Sequence, residues 1–314
     1  MLSLICSLNN LLAWVIGIYT FTHTICMIVR MGLRNYARKP LDLQKRYGKG
    51  SWVIVTGATG GIGEQYCVQF AKEGFNVVLI GRNKEKLEET EIKVKEASGS
   101  VKTKVVVADL GETVEVGFYQ KIYDQVKDLD VSILVNNAGW GECCHFEDIS
   151  LDWHLSNLRV NAGAPTMLTH NLINHFLSRK TRSALINVST IGNNAPLPYM
   201  GIYCAAKRFL TIFSYYLTDN YGDKIDIQNL TPGFVSTKIV NNYNGPDSIT
   251  PEKCVKSSLR DLGQEFTCLP VPAHSLTAQM FHTLYRYSKP LYRMLLVNDL
   301  EKRSLKKYYK DNKE

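Results

Sequence analysis

Short apolar runs alternate with helical stretches through the middle of this 314-residue chain, and that alternation limits its fold more than any other feature. The runs at 52–55, 77–80, 105–107, 133–135, 184–188 and 225–230 are mostly β-branched or aliphatic. Between them, helices are predicted over 64–73, 84–97, 114–127, 152–177 and 203–220. Strand followed by helix at this spacing predicts a doubly wound α/β architecture, a parallel sheet covered on both faces. With 45% apolar residues, the chain can bury one substantial core. Beyond Thr237 the rhythm breaks. A loop is expected over 241–251, a helix over 251–262 and a Pro-rich stretch over 269–274, before an apolar-aromatic segment at 278–297.

The ends of the chain have a different character. Residues 11–29 carry no Asp, Glu, Lys or Arg, close to the ~20 apolar residues a helix needs to cross a bilayer. No Lys or Arg precedes this stretch and no small-x-small site follows, so it does not read as a cleaved signal peptide. Thr20, Thr22, His23 and Thr24 also suit a helix lying in the membrane surface, and both placements stay open. Arg30, Arg34, Arg38, Lys39, Lys45, Arg46 and Lys49 follow, against the single acid Asp42. By the positive-inside rule they place the rest of the chain on the cytosolic side and the N-terminus in the lumen. Lys302, Arg303, Lys306, Lys307, Lys310 and Lys313 make the tail basic as well. Much of the net charge of +8 therefore flanks the core and points to a membrane surface. No zinc spacing or nucleic-acid motif is present, and neither a metal nor a nucleic acid is expected as a partner. The eight cysteines form no CxxC pair or regular framework, as in a reduced, cytosol-facing domain.

The chemistry-bearing residues begin at the first strand–helix junction, Thr56-Gly57-Ala58-Thr59-Gly60-Gly61-Ile62-Gly63. Glycines there let the backbone turn tightly and approach a pyrophosphate, which free N–H groups and the helix dipole stabilise. Four further landmarks follow in order: Asn136-Asn137-Ala138-Gly139, Asn161, Tyr203 with Lys207, and Pro232-Gly233 with Thr237. Tyr203 and Lys207 lie four apart, on one face of a helix. Tyr123/Lys127 and Tyr309/Lys313 share that spacing, but only Tyr203 follows the fifth strand with Ser189 and Thr190 upstream.

Over roughly 51–237, this order of motifs resembles the short-chain dehydrogenase/reductase family. The resemblance implies a Rossmann fold and a nicotinamide cofactor held by Thr56, Gly57, Thr59, Gly61, Ile62, Gly63, Asn137, Ala138, Gly139, Pro232, Gly233 and Thr237. Asp109, after the third strand, resembles the acid that contacts adenine in the family. At the end of the second strand, an NAD site places a carboxylate on the ribose 2′-hydroxyl. Here Gly81 and Arg82 stand instead, and a guanidinium can pair with a 2′-phosphate, which favours NADPH.

By the same resemblance, Tyr203 protonates the carbonyl oxygen as hydride arrives, and Lys207 holds the nicotinamide ribose and tunes Tyr203. Asn161 positions a water in the proton relay, and Thr237 touches the carboxamide. A nearby ammonium should lower the phenol pKa. The family's catalytic serine lies thirteen residues before the tyrosine, where this chain has Thr190. Ser189 is one residue early and should face the other side of the strand.

Within the family, the resemblance is to the microsomal very-long-chain 3-oxoacyl-CoA reductases and to 17β-hydroxysteroid dehydrogenases of types 3 and 12. Arg46-Tyr47-Gly48, residues 77–83 with Glu85, Lys86 and Leu87, and residues 231–237 carry it, and 250–252, 255–257 and 262–263 extend it. It implies NADPH-dependent reduction of a carbonyl on a lipid-like substrate, 3-oxoacyl-CoA to 3-hydroxyacyl-CoA in fatty acid elongation, at the endoplasmic reticulum membrane. A steroid or retinoid is the second substrate reading. A catalytically silent membrane scaffold is the third reading. A homodimer and association with other elongation enzymes are compatible with the resemblance. The expected divisions are a lumenal end (1–10), a transmembrane anchor (11–29), a basic linker (30–50), a catalytic core (51–240) and a substrate-site region with basic tail (241–314).

Overall fold

The computed structural model describes residues 28–195, 197–237, 243–245 and 248–300, and of the N-terminal stretch positions 14, 15, 17–19, 21, 22 and 24–26. It divides into two compact units, one ending at Lys39 and one beginning at Pro40. The described part of the first is helical and closes in a π-helical turn, Leu33–Ala37. Among the described residues no helix is long and apolar enough to cross a membrane. Positions 11–13, 16, 20, 23 and 27 of the expected anchor lie outside the described residues, as do the basic tail and Tyr309/Lys313.

The second unit is built on a seven-stranded sheet in the order β3-β2-β1-β4-β5-β6-β7. The strands are β1 (Trp52–Thr56), β2 (Asn76–Gly81), β3 (Thr103–Val107), β4 (Val131–Asn136), β5 (Ser183–Val188), β6 (Ile225–Leu230) and β7 (Thr267–Cys268). Every pairing is parallel. Helix α1 (Leu43–Tyr47) precedes the sheet; the crossovers that parallel neighbours need are supplied by α2 (Gly61–Lys72), α3 (Lys84–Ala97), α4 (Val116–Asp124), α5 (Leu151–Leu158), α6 (Ala164–Ser178), α7 (Gly201–Tyr221) and α8 (Pro251–Asp261), and α9 (Pro272–Tyr287) and α10 (Lys289–Leu300) follow the last strand. Side chains alternate across each strand. Val53 and Val55 therefore join the core on one face, with Tyr66 and Phe70 of α2, while Ile54 joins the other with Leu168 and Phe176 of α6.

The topology locates the functional edge. Strand order reverses between β1 and β4, and the carboxyl ends of these two strands open the crevice where ligands bind in such sheets.

The structure adds detail to the sequence reading at three places. The helix expected over 152–177 is interrupted by a π-helical turn, Arg159–Gly163, between α5 and α6. The final apolar segment breaks at Ser288 into α9 and α10. Within the expected basic linker, Leu43 and Tyr47 are buried in the core. Below the sheet Asp226 of β6 accepts hydrogen bonds from Arg46 Nε (2.5 Å), Tyr47 Oη (2.8 Å) and Arg182 Nε (3.0 Å).

Candidate active site

The turn after β1 is locked by the segment after β4. The backbone N–H groups of Asn137 and Ala138 each donate to Thr56 Oγ1 at 3.0 Å, and that hydroxyl donates to Val135 O. Asn137 Nδ2 donates to the carbonyls of Thr56 and Gly57. The glycines are required here by contact. A Cβ on Gly57, which has φ +66°, would lie 2.9 Å from Ala138 Cα. One on Gly63 would collide with the carbonyl oxygen of Gly57, and one on Gly61 would sit 3.0 Å from Thr237 Cγ2. Thr237 thus lies over the turn, and Ile62 packs its first helical residues onto the core. This bare-backbone cradle at a helix N-terminus is the arrangement that accepts a pyrophosphate.

At the end of β2, a Cβ on Gly81 would lie 2.9 Å from Thr59 Cγ2, so Thr59 closes this side of the turn. Arg82 is exposed and stands 3.8 Å from Asp109, whose other carboxylate oxygen accepts from Gly111 N at 2.9 Å. Pro232 O accepts from Ile191 N, joining the segment after β6 to that after β5, and Gly233 abuts the His274 ring.

Tyr203 and Lys207 project from the first turns of α7 toward the same segment, Gly139–Gly141. Lys207 is 3% exposed, and its ammonium donates to Val188 O at 2.8 Å. Burial pulls its pKa down to about 7. The Tyr203 hydroxyl is raised from the ordinary phenol value, chiefly by burial, with a hydrogen bond to Thr190 opposing the rise. The phenol was expected to shift downward. Desolvation of the buried phenol decides the sign. Thr190 therefore lies on the Tyr203 side. Ser189 instead contacts Thr211 Oγ1 and Lys207 O within a buried polar cluster.

Asn161 sits in the π-helical turn, a feature frequent at functional sites. Its Nδ2 donates to Trp140 O (2.9 Å) and Asn157 O (3.0 Å). Its Oδ1 is buried without a hydrogen-bond partner among the described residues. A Cβ on Gly139 would collide with that Oδ1 and lie 3.0 Å from Lys207 Nζ, so both atoms face one point. The structure thus brings Thr190, Tyr203, Lys207 and Asn161 around Gly139–Gly141. By contrast, Lys127 of the competing Tyr123/Lys127 pair forms a surface ion pair with Asp124.

Three residues of this site carry little signal in the sequence. Gly141 lies against the Tyr203 ring. Tyr199 holds φ +63° before α7, where its carbonyl accepts from Cys144 N. Asn157 precedes Asn161 by one helical turn, a spacing that could have drawn notice. Beside the site, Ile191 and Ala195 pack under Phe281, Leu284, Tyr285 and Tyr292 of α9 and α10, an apolar-aromatic wall.

The short chain dehydrogenase family profile matches residues 51–247. The chain is 34% identical over 247 residues to a very-long-chain 3-oxoacyl-CoA reductase of Anas platyrhynchos, covering 76% of this chain and 77% of that one. It is 36% identical over 204 residues to hydroxysteroid dehydrogenase-like protein 1 of Gallus gallus, covering 64% of this chain and 60% of that protein's length. In three dimensions it resembles a structure from work on 7beta-hydroxysteroid dehydrogenase stereoselectivity (TM-score 0.69, 25% identity, 78% of this chain and 100% of that one). The fold is also that of a short-chain dehydrogenase from Sphingobium yanoikuyae in complex with NADPH (TM-score 0.64, 24% identity, 76% and 95% covered).

Proposed function

Because the chain belongs to the short chain dehydrogenase family of nicotinamide-dependent oxidoreductases, we propose that it uses NADPH to reduce the carbonyl of a lipid-like substrate, converting 3-oxoacyl-CoA to 3-hydroxyacyl-CoA in very-long-chain fatty acid elongation. The observation that carries this reading is the convergence of Thr190, Tyr203, Lys207 and Asn161 on one backbone segment at the sheet's switch point.

The residues fit the cofactor. The cradle formed by Gly57, Gly61 and Gly63 has no room for side chains and suits a pyrophosphate. Arg82 at the end of β2 suits a 2′-phosphate, with Asp109 beside it for the adenine. Asn137, Ala138, Gly139, Pro232, Gly233 and Thr237 border the nicotinamide end. NADPH, when bound, supplies the hydride.

The chain's own groups then manage the proton. The Tyr203 phenol is protonated at neutral pH, with burial raising its pKa further, and this is the form able to donate to an oxygen gaining negative charge. Thr190, hydrogen-bonded to that phenol, orients the same oxygen. Lys207 holds the ribose and its charge steadies the phenolate left behind, and Asn161 Oδ1 receives a water that returns the proton.

The lipid-like substrate is supported by the relatives' names and by the apolar-aromatic wall beside Ile191. We place the protein at the endoplasmic reticulum membrane with the core in the cytosol. The uncharged run at 11–29 supports this. So does an exposed stripe on α9, Leu276, Met280 and Tyr287, in a stretch without acidic residues from Pro272 to Val297. Homodimerisation and contact with other elongation enzymes are part of the same proposal. A hydroxysteroid is the second substrate reading, favoured by the Gallus gallus relative.

The test is NADPH oxidation by membranes holding the protein, with a long-chain 3-oxoacyl-CoA, and with a 17-ketosteroid and NADH as comparisons. Turnover with acyl-CoA and NADPH that disappears in Tyr203→Phe is expected. Steroid turnover alone would replace the substrate. No turnover with retained NADPH binding would leave the scaffold reading.

A further inference from the structure

We infer that Asn157 is a positioning residue that fixes the Asn161 amide, an inference that rests on the reductase reading above. Both side chains are 0% exposed, one helical turn apart where α5 passes into the π-helical turn. Asn157 Nδ2 donates to Trp140 O at 2.8 Å, and Asn161 Nδ2 donates to the same carbonyl at 2.9 Å. Asn157 also offers Asn161 Nδ2 two acceptors, its backbone oxygen at 3.0 Å and its own Oδ1 at 3.2 Å.

A primary amide can be seated in two orientations differing by a half-turn, so its environment must choose. With Nδ2 inside a ring of three oxygens, Oδ1 is left facing the point over Gly139 that it shares with Lys207 Nζ. The reverse seating would press Oδ1 against three acceptors and aim an NH2 at an amine. The Asn157 side chain contributes one acceptor of that ring, its Oδ1, and holds another, the Trp140 carbonyl, in place. The tether also acts on the catalytic segment, because Trp140 lies between Gly139, facing Lys207, and Gly141, facing the Tyr203 ring.

The test is a variant series in the full-length protein, read with NADPH and the carbonyl substrate that the wild type turns over. Asn157→Ala is expected to lower kcat about 10- to 100-fold with KM within about twofold, because misplacement rather than lost binding is the defect. In an Asn161→Ala background, adding Asn157→Ala is expected to cost less than about threefold, since groups acting as a unit are not additive. Asn157→Asp discriminates further. As a neutral acid it donates to Trp140 and accepts from Asn161 as the amide does. Its kcat should approach wild type at low pH and fall as the carboxyl ionises, a limb absent from Asn157→Ala.

Additive losses, or an Asp variant with the pH profile of Asn157→Ala, would overturn the proposal. Thermal unfolding and NADPH binding identify a variant that has merely misfolded. If the wild type reduces no carbonyl, the reaction reading fails separately. Hydrogen exchange of the 137–145 segment then decides: faster exchange in Asn157→Ala supports the tether, and unchanged exchange refutes it.

Discussion

The Tyr203 ring lies directly against the backbone of Gly141, so that a Cβ at position 141 would fall 2.7 Å from Tyr203 Cγ and 2.8 Å from Cδ2. The glycine is needed for this approach and for no unusual backbone angle, since its φ is not positive. A methyl group there must displace the ring or the loop. Gly141→Ala is therefore expected to cost about 10²-fold in kcat, the penalty of a misplacement of about 1 Å. Thermal stability should change little, because the position is not in the core. Unchanged turnover would show that ring and loop yield together.

Arg82 separates the two nicotinamide dinucleotides. It is exposed and only loosely held by Asp109 at 3.8 Å, which leaves its guanidinium available to a phosphate. Arg82→Ala should raise the Kd for NADPH about 10- to 100-fold, roughly the ~1.5–3 kcal/mol of a charge-assisted hydrogen bond. The Kd for NADH should stay within about twofold. Fluorescence titration of both cofactors checks this, and equal losses would remove Arg82 from phosphate recognition.

Lys207 should cost the ligand-free protein stability. Its folded-state pKa is about 7, and burial is the cause; in the unfolded chain a lysine titrates near ~10.4. Between these values the unfolded chain binds the extra proton, so stability rises with pH across that window. At neutral pH the penalty is almost fully present, on the order of 4 kcal/mol before the hydrogen bond to Val188 O is credited. Lys207→Met should thus be inactive yet more stable at pH 7, with the difference shrinking toward pH 10. Urea unfolding across that range measures it, and a variant less stable at pH 7 would contradict it.

Asp226 should hold the underside of the sheet together. Burial alone would raise its pKa, but hydrogen bonds from Arg46, Arg182 and Tyr47 outweigh burial and lower it. Asp226→Ala leaves two guanidinium groups and a buried phenol without their acceptor, at a cost of about 3–5 kcal/mol. A lowered folded-state pKa means stability that is present above the unfolded value near ~3.9 and lost as pH falls through the folded one. The gap between wild type and Asp226→Ala in denaturant midpoint should therefore be full at pH 6 and close only well below pH 4. A gap independent of pH would assign the effect to packing.

Local patterns stated much about this protein openly. Strands β1, β2, β4 and β5 were legible because parallel strands buried on both faces read as near-continuous apolar runs, and the glycine turn because side chains there would collide. The start of helix α3 was readable because Asn83 caps the backbone N–H of Lys86. The two-residue strand β7 was not legible, since Thr267 and Cys268 show no periodicity and pair only because β6 is already in place.

The sequence alone determined which residue types could meet at the crevice, because the strand–helix alternation and the helical spacing follow from periodicity and turn chemistry. Only the tertiary structure decided how they meet. It took Arg46 and Tyr47 out of a basic linker and set them against Asp226, 180 and 179 positions away. It raised the Tyr203 pKa where charge spacing predicted a fall, and it turned Asn161 by a π-helical turn and a neighbouring amide. Desolvation, amide orientation and ion pairing depend on everything packed around a group. Residues distant in the chain supply those surroundings, so no local pattern can encode them.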